Sequence, residues 1–398
     1  MIYLEKLDSV TMKFKFKLFI FFQYFSIGIL GPYMVMFLSE KDFSGAQIGV
    51  LLGVMPIASL VFQPLWGYLS DVINNRRYLL MISSFGVALA SLGLVFFDSF
   101  VPMLLNGILF SAMIAPISAI STAIILDYLE EMGKKEEFSL IRLWGSLGFA
   151  VSSIGMAGLF LDQVLVYFGW FSAGIYLILG GISLFLPERE KPFVYSGFKG
   201  IGVVIKNTKF LIFLIASVFI GATMGICSNF QTLSLQSLGA SAWLIGVIIS
   251  IQALLEIPMM LVVPSLLKRL SMRCLILIGA LMLPVRWLLY IFIKNPVWVI
   301  PTQIFNSIAT ISFLVVAIAF IDKLISPKWR ATGQALYSTA LWGTGGGLGI
   351  FLAGNLIERF NIWAIWPFNL VLGLIGLVLV IVALSGIGDA QGSLVKDQ

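Results

Sequence analysis

Residues 243–290 read WLIGVIISIQALLEIPMMLVVPSLLKRLSMRCLILIGALMLPVRWLLY. Two apolar runs, Trp243–Leu267 and Cys274–Ile293, flank a basic corner, and each carries one ionisable residue far from its ends, Glu256 and Arg286. About 20 apolar residues cross a bilayer core as a helix. A charge near the middle costs roughly 2.5–3.5 kcal/mol on insertion scales, so it faces a partner or a water-filled cavity. Glu256 lies 12 residues before Lys268 and Arg286 lies 13 after Arg273, or about 18 and 20 Å along a helix. With Lys268 and Arg273 at one membrane surface, the two charges reach similar depths on neighbouring antiparallel helices. The spacing therefore predicts a Glu256–Arg286 pair. A pair that rearranges would bind and release one proton; the plainer alternative is a static ion pair that fixes helix packing.

The rest of the chain has the same character. Of 398 residues, 60% are hydrophobic and 11% charged, with a mean hydropathy of +1.03, which leaves too little polar surface to coat a water-soluble globule. The composition predicts a polytopic membrane protein. Histidine is absent, so proton handling falls to carboxylates. Cys227 and Cys274 have no metal or redox spacing, and no metal or cofactor is expected. The first apolar run is long and is not followed by a small-residue cleavage site, so it reads as a retained span.

Apolar windows cut at charge and turn clusters predict twelve spans: 14–38, 46–70, 78–97, 101–128, 139–161, 164–186, 209–236, 242–267, 274–293, 297–322, 329–357 and 362–386. An even number places both termini on one side. That side collects 21 Lys and Arg against three (Lys41, Lys294 and Arg359) on the other, and by the positive-inside rule it is the cytoplasm. The net charge of +6 is thus a topology signal and does not call for a nucleic-acid partner.

The longest polar gap, Pro187–Lys209, divides the chain into a six-helix bundle over 1–190, a cytoplasmic linker over 191–208 and a second bundle over 209–398. An internal repeat supports the division. Ile48-Gly49-Val50 matches Ile245-Gly246-Val247 and Arg76 matches Arg273 at an offset of 197, while Trp144-Gly145-Ser146 falls on Trp342-Gly343-Thr344 at 198. Parallel repeats of this kind build transporters with a substrate site near mid-membrane.

Gly67-Tyr68-Leu69-Ser70-Asp71, followed by Arg76 and Arg77, resembles the loop signature of the major facilitator superfamily. Phe62-Gln63-Pro64-Leu65-Trp66, Arg142-Leu143-Trp144-Gly145-Ser146 and Leu352-Ala353-Gly354-Asn355 resemble the branch holding lactose permease, 3-phenylpropionate permease and nucleoside-proton symporters. The resemblance implies an all-α fold of twelve transmembrane helices in two pseudo-symmetric six-helix bundles, working as a monomer. It implies alternating access and proton-coupled import of a sugar, nucleoside or small aromatic acid. Asp71, Arg76 and Arg77 match gating residues, Arg142 a substrate-binding arginine, and Arg286 the arginine of span 9. Asp127, near the cytoplasmic end of span 4, reads as a gate or a plain interfacial partner for Arg142.

Polar and aromatic residues within the spans form a softer layer. Gln23, Tyr24, Asn229 and Gln252 are expected to bind substrate, and Trp342 and Phe230 offer rings for stacking. Asn106, Gln231, Gln303, Asn306 and Tyr337 read equally well as bridges between helices. The run Gly343–Gly349 lacks the Lys-Ser/Thr ending of a phosphate loop and reads as close helix packing or a flexing point. Two rival readings remain: a proton-antiport exporter of drugs or lipids, and a membrane receptor or intramembrane enzyme. Against an enzyme stands the lack of a paired nucleophile and base.

Overall fold

In lipid, each backbone N–H and C=O must find its partner within its own segment, so an apolar run becomes a helix. The computed structural model describes residues 2–73, 75–134, 137–160, 167–187, 201–326 and 329–385, and no strand occurs among them. The helices are α1 (Ile2–Glu40), α2 (Gly45–Ile73), α3 (Arg76–Phe96), α4 (Phe100–Glu131), α5 (Phe138–Phe160), α6 (Phe168–Ser183), the short α7 (Ile201–Val204), α8 (Thr208–Ser237), α9 (Ala242–Arg269), α10 (Met272–Phe292), α11 (Val299–Ile311), α12 (Ala317–Leu324), α13 (Arg330–Ser338), α14 (Gly346–Arg359) and α15 (Ile365–Leu384). A π-turn over Ser312–Val316 joins α11 to α12, and another over Thr339–Gly345 joins α13 to α14, each making one span. Eleven described helices are long and apolar enough to cross a membrane. The sixth span, expected over 164–186, is the shorter α6 of 16 residues; positions 161–166 lie outside the described residues. Leu89, Leu261 and Phe292 are at least 66% exposed, a surface suited to lipid and costly in water.

The helices gather into two compact units, Met1–Tyr195 with Ser228–Leu254, and Ser196–Cys227 with Leu255–Gln398. In the first, α1 packs on α5 and α6, α3 on α4 and α6, and α2 on α4; in the second, α10 packs on α11 and α15.

The repeat is visible atom by atom. After α1, Asp42 takes a left-handed φ of 61°, and after α8, 197 residues on, Gly239 takes 75°. Asp42 N–H donates to Ser39 O and Phe43 N–H to Leu38 O, both at 3.2 Å; Gly239 N–H donates to Gln236 O and Ala240 N–H to Leu235 O at 2.9 and 3.1 Å. Ser44 then caps α2, accepting from Gln47 N–H at 3.3 Å, as Ser241 caps α9, accepting from Leu244 N–H at 3.3 Å. In the first copy Gln47 returns the bond through Oε1 to Ser44 N–H at 2.9 Å, completing a capping box.

Glycines carry the same register into the helix crossings. A Cβ on Gly28 would stand 2.7 Å from Phe149 O, and one on Gly225 would stand 2.8 Å from Gly346 O. A Cβ on Gly148 would meet Phe21 O at 2.2 Å, and one on Gly345 would meet Val218 O at 2.5 Å. All four positions are related by 197. The expected 198 alignment of Trp144 with Trp342 is therefore one residue out. Its Trp-Gly-Ser/Thr likeness is compositional, whereas backbone contact sets the helical phase, and that phase puts Gly145 opposite Trp342.

Defects in the helices also correspond. Pro116 lacks the N–H that would bond Ala112 O, and Trp66 Nε1 donates to that freed carbonyl at 2.6 Å. Counting on by 197 from 115–119 gives 312–316, the π-turn of the tenth span. Span 4 and span 10 thus break their ladders at one place by different means.

Candidate functional site

In the first unit the Arg142 guanidinium lies over the Tyr24 ring, 3.9 Å from its centroid. Gly145, one turn after Arg142 on α5, makes the approach possible: a Cβ there would stand 2.7 Å from both the Tyr24 ring and Arg142 Nη1. Both side chains are half-buried. Arg142 makes no hydrogen bond or ion pair among the described residues. Its donors are unspent on a flat cationic surface backed by a phenol ring. Beside Tyr24, Gln23 is buried and accepts from Ser121 Oγ at 3.2 Å.

Asp127 is bonded to Arg76, whose Nη1 donates to Asp127 Oδ2 at 2.7 Å and is buried where α3 begins. The expected partnership of Asp127 with Arg142 is replaced by this bond. Arg76 is lodged in the α3–α4 interface, where a carboxylate must answer its charge. Arg77 Nη1 reaches Leu184 O at 3.5 Å. The Asp71 side chain lies outside the described residues. At the same end of the helices, by the predicted topology, Lys13 Nζ meets Glu137 Oε2 at 2.5 Å, and this hydrogen bond holds the Glu137 carboxyl below its ordinary range.

In the second unit Arg286 is fully buried on α10. Its Nη2 donates to Gln303 Oε1 at 2.9 Å and to Tyr290 Oη at 3.1 Å, and its Nη1 donates to Asn306 Oδ1. The Trp287 and Tyr290 rings lie 4.9 and 5.3 Å from its carbon Cζ, and Trp287 stacks on Trp366 of α15 at 5.7 Å. The Glu256–Arg286 ion pair is not formed, since all polar partners of Arg286 among the described residues are neutral. Gln303 and Asn306 sit one turn apart on α11 and face α10, so the guanidinium is solvated by amide oxygens and π faces. Both amides are visible in the sequence as polar residues within an apolar span. Tyr290, Trp287 and Trp366 carry no sequence signal beyond ordinary aromatic content, and the local pattern does not point to them.

Glu256 is half-buried at mid-α9, with Gln252 one turn before it and also half-buried. Asn229 is half-buried on α8. Phe230 is 1% exposed, a packing residue rather than a stacking platform. Trp342 is 43% exposed within the second π-turn.

The chain as a whole has known relatives. The model of the MFS_1 like family matches residues 13–368. Maltose permease of Geobacillus stearothermophilus is 28% identical over 95% of this chain and 96% of its own length. Nucleoside permease NupG of Escherichia coli is 24% identical over 88% and 89%. The crystal structure of the nucleoside transporter NupG superposes with a TM-score of 0.81 at 21% identity, covering 94% of this chain and 99% of that one. A D-xylose-proton symporter superposes at 0.69 and 15% identity, covering 97% and 99%. Because the family model matches residues 13–368, nearly the whole chain, this chain belongs to the MFS_1 like family.

Proposed function

We propose that this membrane transporter imports a small polar solute, a sugar, nucleoside or small aromatic acid, by proton symport with alternating access. The observation that carries the reading is Arg142, half-buried on a membrane-spanning helix, stacked on Tyr24 and with its hydrogen-bond donors unspent among the described residues. A membrane protein leaves such a group unsatisfied only where a polar ligand or water reaches it. Tyr24 and Arg142, with Gln23, Asn229 and Gln252, are the substrate-binding candidates. The relatedness to maltose and nucleoside permeases supports a hydroxyl-bearing solute.

Glu256 is the proton carrier in this reading. It is a carboxylate at mid-span in a chain without histidine, and it shares its span with no other acid. Arg286 is the fixed positive charge of the coupling machinery, held by Gln303 and Asn306 in the state described. Arg76 with Asp127, Asp71 and Arg77 gate the cytoplasmic ends. The transporter works as a monomer in the cell membrane, with six-helix bundles over 1–190 and 209–398 and both termini in the cytoplasm.

Uptake into proteoliposomes under an inward proton gradient, with pooled labelled sugars, nucleosides and aromatic acids, tests the reading. Wild type accumulates one class, and Glu256→Gln loses accumulation while keeping exchange of that solute. Equal accumulation by Glu256→Gln would remove Glu256 from coupling. Substrate-driven proton movement in the opposite sense would favour export.

A further inference from the structure

A recess in the first unit contains a hydroxyl that nothing else in the fold uses. It lies between α2 and α4, holds about 80 Å³, and is lined by Gln63, Trp66 and Ser70 of α2 and by Ala115, Pro116 and Ile120 of α4. Ser70 is 2% exposed, and its Oγ has no hydrogen-bond partner among the described residues. Other buried serines within the helices behave differently: Ser83, Ser84, Ser183 and Ser217 each donate to the carbonyl four residues back. The indole donor in the recess is spent, since Trp66 Nε1 bonds the Ala112 carbonyl that Pro116 frees. A buried hydroxyl without a partner is costly, so a group that enters the recess gains by answering it.

The mouth of the recess suits water. Gln63 and Ala119 line it and are both exposed, as is Ser118 beside Ala119 on α4, and Gln63 makes no hydrogen bond among the described residues. An amide left bare in hydrocarbon is costly; in a water-filled passage it is not. Ser70 lies one turn before the end of α2 at Ile73, which by the predicted topology is the cytoplasmic half of the span. The volume is about half of the roughly 150 Å³ that holds benzene in an engineered cavity. A sugar or base ring does not fit, but a group of a few heavy atoms does. No lining residue is charged, so a carboxylate there would go unanswered. Water alone is poorly served, because a buried water takes about two to four polar partners and only Ser70 and Gln63 among the lining side chains have polar atoms to spare.

We propose that Ser70 is a specificity-determining residue, the floor of a subsite that takes the hydroxymethyl group of the transported solute. The hydroxyl of that group shares a hydrogen bond with Ser70 Oγ, and its methylene packs against Pro116 and the Trp66 indole. This rests on the transporter reading above and narrows its substrate class to solutes with a primary hydroxyl, sugars and nucleosides alike, and away from aromatic acids.

The test is uptake into proteoliposomes under an inward proton gradient, by wild type and Ser70→Ala, of whichever labelled solute wild type accumulates and of its analogue with a methyl in place of the hydroxymethyl group. Uridine with its one such analogue and maltose with its two are the first pairs. The loss of one buried hydrogen bond should raise the KM of wild type for an analogue about tenfold over its parent, and in Ser70→Ala that ratio should fall to about twofold or less. A merely structural effect of Ser70→Ala would raise both KM values alike. A wild-type ratio near one for every analogue, or a ratio unchanged in Ser70→Ala, therefore overturns the subsite and leaves the transporter reading intact. If Ser70→Ala fails to fold, Ala115→Leu takes its place, since it fills the recess and leaves Ser70 alone; an unchanged KM for the parent solute then overturns the subsite. Accumulation only of solutes without a primary hydroxyl, aromatic acids included, overturns it too. No accumulation of any labelled pool by wild type overturns the transporter reading and this inference together.

Discussion

Asp42 and Gly239 occupy the same left-handed turn, 197 residues apart, with φ of 61° and 75°. One copy of the repeat meets the turn with the residue type that enters this region freely, the other with a residue that enters it at a cost. Asp42→Gly should therefore raise the thermal midpoint in detergent, with relief of about 1 kcal/mol. Gly239→Ala should lower it by a similar amount. Unfolding followed by size-exclusion recovery after heating measures both.

The glycine crossings predict a contrast within one helix. A Cβ at Gly148 would collide with the Phe21 carbonyl, and because backbone cannot yield as a side chain does, Gly148→Ala should destabilise by about 1–3 kcal/mol. Gly155, on the same α5, has open space where its Cβ would go, so Gly155→Ala should be neutral or gain up to about 1 kcal/mol from helix propensity. Equal loss of monodisperse protein from both variants would refute the account.

Arg286 predicts an asymmetry between removing a charge and removing its solvation. Asn306→Leu or Gln303→Leu leaves a buried guanidinium short of an acceptor, and the loss should approach the roughly 3–5 kcal/mol typical of a broken buried charge contact. Arg286→Met removes the charge with its need and should retain more folded protein than either. Recovery of monodisperse protein at fixed temperature compares the three.

The Lys13–Glu137 bond adds a pH dependence outside the membrane. Because the folded pKa of Glu137 is lowered, chiefly by the hydrogen bond from Lys13, its contribution is present above the ordinary glutamate pKa of about 4.3 and is lost as pH falls through the lowered value. Wild type should exceed Glu137→Gln slightly in thermal midpoint at neutral pH, and the two should converge in acid. The groups are partly exposed, so raised salt should shrink the difference. A difference that grew in acid would have the wrong sign.

Single residues are legible in this sequence where their pairings are not. Tyr24 and Arg142 stand out separately as polar groups within apolar spans, and the fold stacks one on the other. Asp127 reads as a partner for Arg142, but Arg76 holds that carboxylate. Glu256 reads as a partner for Arg286, yet the arginine turns to Gln303 and Asn306. Depth along a helix can be counted from the sequence at about 1.5 Å per residue. Rotation about the helix axis cannot be read in this way when residues are apolar on every side, as in α10.

Length, composition and capping residues act locally, and they alone make the chain a bundle of apolar helices, place most helix ends to within a few residues and reveal the duplicated unit. Which side of each helix faces which neighbour came from packing: the 197 register, the stack of Arg142 on Tyr24, and the neutral cage around Arg286. Between apolar helices in lipid no hydrophobic gradient chooses a face. The choice falls to glycines that let backbones touch and to the few polar groups that must be satisfied, and their geometry exists only once the helices have met.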